Sequence, residues 1–135
     1  MTDLLGPAAI VPARCSIDDV LRVLRSVRVR EAGLQEVDIR DRLLDHLLRA
    51  GLPAIKEHVF AKGCRADIWI DGIVIEVKKK RPHAGDLLAQ LQRYAAATPS
   101  RAVVLVLERA VPVPDAIDDK PVVMLSLNSL WGVAL

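Results

Sequence analysis

Asp67, Glu76 and Lys78 are the residues whose types and spacing most readily do chemistry. They lie on either side of Asp71-Gly72, in a segment where apolar and polar residues alternate. Asp-Gly favours a two-residue hairpin turn, because both turn positions take positive φ. Such a turn fixes the register by counting: Ile70 closes the loop with Ile73, Trp69 faces Val74, Ile68 faces Ile75, and Asp67 faces Glu76. Ala66, Ile68, Ile70, Ile73, Ile75 and Val77 then share one apolar face, expected to be core, while Asp67, Trp69, Val74, Glu76 and Lys78 share the other. In this register Asp67 and Glu76 are a non-hydrogen-bonded pair, with Cβ atoms about 4.5–5.5 Å apart.

Two carboxylates set opposite each other repel, and a hairpin does not need them there. A divalent cation between them turns the repulsion into attraction. Mg²⁺ or Mn²⁺ suits such a site, since a hard cation binds through one or two carboxylates and fills its other positions with water and phosphate oxygens. The Lys78 ammonium, on the same face, is placed to orient an attacking water or to stabilise charge building on a phosphate.

The elements that must position these residues are legible from periodicity. Ser16, with Asp19 three residues on, starts a helix through about residue 26, whose Arg22 and Arg25 continue into Arg28 and Arg30. A second helix is expected over about residues 34–50, closed by Gly51. Ile39, Leu43, Leu44, Leu47 and Leu48 form its apolar stripe; Asp38, Asp41, Asp45 and Arg49 lie opposite. Glu36 and Arg40 project from the stripe near its N-terminal end. Strands are expected over about residues 55–60, 65–70, 73–78, 101–107 and 122–127, with a helix over about 86–97 after the hairpin. The Pro-containing stretches at about 7–12 and 112–121 read as an extended lead-in and a surface loop. The expected fold is α/β, a mixed sheet flanked by helices.

The pattern Arg65-Ala66-Asp67 followed by Ile73-Val74-Ile75-Glu76-Val77-Lys78 resembles the bipartite signature of the PD-(D/E)xK nuclease superfamily. Ala66 stands where the signature names proline. The resemblance implies a restriction-endonuclease-like αβββαβ core over about residues 34–107, and cleavage of DNA that leaves 5′-phosphates. It also implies an acid on the first core helix, for which Glu36 is preferred over Glu31, and the Val77 carbonyl as a further metal ligand. Gln90 and Tyr94, four residues apart on one helix face, resemble the Q-x-x-x-Y motif of the RecB-like and lambda-exonuclease-like branch. With the basic residues Lys79, Lys80, Arg81 and Arg40, they are the candidates for nucleic-acid contact.

Composition bounds the rest. The 135 residues suffice for one domain over 1–135, and 52% hydrophobic with 27% charged residues is the balance of a folding chain. The formal charge of +2 argues for a polyanionic partner only where basic residues cluster. Cys15 and Cys64 have no metal-ligand spacing, four cysteines for an iron–sulfur cluster are lacking, and His46, His58 and His83 have no ligand spacing either. There is no phosphate-binding glycine loop and no nucleophile elbow. Neither a spanning segment nor a signal peptide is apparent, so a cytoplasmic location without membrane contact is expected. The sequence therefore points to a Mg²⁺- or Mn²⁺-dependent deoxyribonuclease, acting alone, as a homo-oligomer or within a larger nuclease complex. The alternative is a binding module for nucleic acid or protein that keeps the fold without the reaction.

Overall fold

The computed structural model describes residues 15–29 and 33–127. The lead-in at 7–12, Arg30, Glu31 and the apolar C-terminal stretch 130–135, read from sequence as packing on the core or as a subunit interface, lie outside the described residues. The elements run α1 (Ile17–Ser26), α2 (Glu36–Arg49), β1 (Ile55–Ala61), β2 (Cys64–Ile70), β3 (Ile73–Lys78), α3 (Ala84–Ala96), β4 (Ala102–Leu107), β5 (Ala116–Ile117) and β6 (Lys120–Ser126).

Among the described residues the strands form a six-stranded mixed sheet in the order β1-β2-β3-β4-β6-β5. The β1, β2 and β3 pairings are antiparallel; β3, β4 and β6 run parallel to one another. The parallel step from β3 to β4 needs a crossover, and α3 supplies it. Helices cover both faces. Val20, Leu24, Ile39, Leu43 and Leu47 from α1 and α2 pack with Ile68, Ile75 and Val104 on one side. Leu87, Leu91 and Tyr94 from α3 pack with Val74, Val103 and Leu105 on the other. A strand covered on both faces must be apolar throughout, which is why every residue of β4 is buried.

Local signals account for the helix starts. Ser16 Oγ accepts the Asp19 N–H at 3.1 Å, the expected N-cap of α1. At α2 the Gln35 N–H donates to Asp38 at 2.9 Å, moving the start to Glu36, two residues past the expected Leu34. His83 caps α3, with Nδ1 accepting the Asp86 N–H.

Three expectations are corrected. Leu48 belongs to no buried stripe: it is 51% exposed, and Val37 on the same side is 52% exposed. The stretch 112–121 contains β5, which pairs Ala116 with Pro121 and Ile117 with Lys120 across a two-residue turn at Asp118 and Asp119, both at positive φ. Ala66 does not share the face of Ile68. It packs in the cluster under α3, while Ile68, Ile70, Ile73, Ile75 and Val77 pack under α1 and α2. The strand thus changes face at Asp67.

Candidate metal centre

The hairpin turn forms as counted. Asp71 and Gly72 sit at φ 46° and 89°, and the pairs Ile70↔Ile73, Trp69↔Val74 and Ile68↔Ile75 follow. The regular pairing stops there, one step short of Asp67 and Glu76. Each acid instead reaches across to the opposing strand. Asp67 Oδ2 accepts the Val77 N–H at 2.8 Å, and Glu76 Oε1 accepts the Asp67 N–H at 3.2 Å. The β1 pairing also skips Asp67, passing from Lys56↔Ile68 to His58↔Ala66. An interruption on both sides frees β2 to twist, as at a bulge, and accounts for the change of face. The expected simple cross-strand pair is therefore a crossed arrangement, with carboxylates holding amides that ladder carbonyls would otherwise hold.

Glu76 is 5% exposed. Its Oε2 is 3.9 Å from Lys78 Nζ and 3.5 Å from the donating Gln90 Nε2, and its Oε1 is 3.4 Å from Tyr94 Oη. A phenol carries one proton. The 2.7 Å bond to the Arg65 carbonyl takes the proton of Tyr94, while Gln90 Nε2 donates to Tyr94 Oη at 3.0 Å. Tyr94 is 3% exposed, so it and Gln90 are turned to Glu76 and the β2 backbone. Three elements, β2, β3 and α3, converge on one carboxylate.

Burial, and then the neighbouring Asp67, push the Glu76 carboxyl up to about 7. Burial also raises Asp67, against the Val77 amide and Lys78, which favour its ionised form. Tyr94 is pushed up to about 12 by burial and by the Glu76 charge.

Glu36 opens α2 and is exposed. Its Oε2 accepts the Lys79 N–H at 2.8 Å, and Lys79 Nζ donates to the Leu34 carbonyl at 2.5 Å. These bonds pin the start of α2 to the exit of β3, close enough for the Glu36 charge to raise Asp67. Val77 enters through its N–H to Asp67, with its side chain in the core. Arg40 is 8% exposed and held by Asp41 at 2.9 Å and Glu57 at 3.3 Å, where its charge lowers Asp67. Lys80 and Arg81 are exposed beyond β3.

Glu57 was not singled out from sequence. It sits in β1 at φ 52°, at the gap opposite Asp67, and pairs with both Arg40 and Arg65. Positive φ at a glutamate costs energy and persists only where its surroundings impose it. No residue pattern in β1, where Lys56, Glu57 and His58 follow one another, announces it.

Among the described residues no three His, Cys, Asp or Glu side chains are already drawn into a metal-holding group. The pair itself suits a hard cation: the half-buried Asp67 carboxylate adds to burial in raising the affinity of Glu76 for a proton, and a divalent ion would satisfy the same need. Asp67 and Glu76 supply two oxygen donors, a sufficient protein contribution for Mg²⁺. No family model matches the chain, and no match was found among curated proteins or among solved structures.

Proposed function

We propose that the chain is a metal-dependent nuclease that hydrolyses phosphodiester bonds in DNA, on a restriction-endonuclease-like αβββαβ core of the PD-(D/E)xK kind. One observation carries the reading: a buried Glu76 accepts the Asp67 N–H and has the Lys78 ammonium 3.9 Å from Oε2. Asp67 and Glu76 would hold Mg²⁺ or Mn²⁺, joined by the Val77 carbonyl and by Glu36. When bound, the cation supplies Lewis-acid activation of the phosphodiester. Lys78 carries the charge developing on the phosphate and orients water. Gln90 and Tyr94 hold Glu76 in one orientation, a precondition for a site that does not reorganise during reaction. Lys79, Lys80 and Arg81 contact the DNA backbone without reading sequence, and Arg40 balances Asp67 from within the protein.

The competing reading is a silent binding module. In its favour, Glu36 is occupied by the Lys79 amide and no third acid joins the pair among the described residues. Incubating the protein with linear and circular DNA, single- and double-stranded, in Mg²⁺, Mn²⁺ or EDTA separates the two. Cleavage only with the cation supports the nuclease. Binding without cleavage of any substrate supports the module.

A further inference from the structure

The carboxyl ends of parallel β3 and β4 open into a cleft of about 700 Å³, lined by Gln35, Lys79, Lys80, Arg81, Glu108 and Arg109 among others. The carboxyl edge of a parallel sheet is where α/β folds commonly bind ligands. Cations outnumber anions four to one among those side chains, and Lys80, Arg81 and Arg109 have no ion pair among the described residues. The cleft begins at Lys79, directly after Lys78.

Arg81 and Pro82 are shared with a second cavity of about 220 Å³, between α3 and the segment after β4. Its walls include Leu87, Leu88, Leu91, Val111 and Val113, with Pro82, Pro112 and Pro114. Prolines offer no N–H, so the cavity is poor in donors. Leu88 is 41% exposed, although it belongs to the apolar side of α3.

A basic cleft that shares Arg81 and Pro82 with a small apolar cavity matches one class of ligand. Single-stranded nucleic acid carries an anionic backbone and flat bases with apolar faces that are free to leave the strand axis, whereas a duplex keeps its bases stacked inside. We propose that this chain takes unpaired DNA, with phosphates along Lys80, Arg81 and Arg109 and one base inserted between Leu88 and Val111. Few donors line the cavity, so insertion is tolerant of sequence. The choice of DNA rests on the nuclease reading above.

The test is fluorescence anisotropy in EDTA, where no cleavage occurs. The probes are a labelled single strand, an abasic strand of equal length and a blunt duplex. Wild type is expected to bind the base-bearing strand about fivefold tighter than the abasic one, the low end of what one base contributes on an aromatic platform, since the cavity walls are aliphatic. Leu88→Gln, at an exposed position that leaves the core intact, removes the difference without altering abasic binding, and Val111→Gln does the same. Arg81→Ala weakens both strands alike. Equal affinity for the base-bearing and abasic strands overturns the inference, as does a blunt duplex bound as tightly as the single strand, or no binding of any probe; the cavity then falls to an apolar protein segment. Base-dependent binding without Mg²⁺-dependent cleavage sinks the nuclease reading and leaves this one standing. Cleavage with equal binding of the two strands does the reverse.

Discussion

Asp67 and Glu76 are joined twice over, through amides rather than through each other: the Asp67 N–H donates to Glu76 Oε1 at 3.2 Å, and Asp67 Oδ2 accepts the N–H of Val77, the residue after Glu76, at 2.8 Å. Two like charges are thus kept near each other by backbone donors at a point where regular strand pairing has ended. Burial first, and the Asp67 charge second, push the Glu76 carboxyl up to about 7.

That shift gives stability a pH dependence of definite sign. The folded state holds the Glu76 proton to about 7, against an ordinary 4.5, so between these values the folded state binds more protons than the unfolded one. Stability of the metal-free protein therefore falls as pH rises through this window, by up to about 3 kcal/mol from this group. Urea denaturation in EDTA at pH values on either side of the window should show the loss. Glu76→Gln should remove this contribution, leaving the part due to Asp67, whose carboxyl burial also raises. An identical pH dependence in the variant would contradict the assignment.

A cation that relieves the repulsion must stabilise the fold. Mg²⁺ or Mn²⁺ at about a hundred times its dissociation constant adds about 2.7 kcal/mol to the folded state, seen as a rise of several degrees in Tm. Asp67→Asn and Glu76→Gln should each lose most of that rise. An equal rise in both variants would place the cation elsewhere.

Tyr94 works through its hydroxyl. Tyr94→Phe leaves the Arg65 carbonyl without the hydroxyl donor and removes the nearer of the two acceptors of Gln90. The expected loss is about 1–2 kcal/mol of stability. Pairing it with Gln90→Ala should give less than the sum of the single losses, because the two side chains act as one unit on Glu76. Additive losses in a double-mutant cycle would show that they act separately.

The hairpin turn carries the register, and Gly72 carries the turn. A Cβ at Gly72 would lie 2.9 Å from both Arg101 Cγ and the Pro99 carbonyl oxygen, at φ +89°. Gly72→Ala should cost about 1–3 kcal/mol in denaturant unfolding. A neutral effect would mean that the turn adapts and does not set the register.

Much of this site could be counted from sequence because a two-residue Asp-Gly turn leaves the neighbouring strands no freedom of register. Ile68 against Ile75 followed from that turn alone. The ladder's end at the next step did not, since it depends on side-chain carboxylates capturing amides, a competition that apolar alternation does not reveal. Gln90 and Tyr94 were placed by helical spacing, but only the packed fold shows that both turn inward to Glu76. The Asp118-Asp119 turn of β5 lacks glycine and lies in a proline-containing stretch, so it read as loop. Glu57 left no trace, its partners Arg40 and Arg65 coming from other elements.

The most direct measurement is the single-turnover rate of cleavage of end-labelled DNA in saturating Mg²⁺, by wild type and by Glu76→Gln, with folding of both checked by thermal melting. Glu76→Gln preserves shape and removes the charge. Expected is cleavage by the wild type that stops in EDTA, with a loss of about a hundredfold or more in the variant. A folded Glu76→Gln protein that cleaves at the wild-type rate, or a wild type that does not cleave at all, would contradict the assignment of Asp67, Glu76 and Lys78 as a nuclease centre.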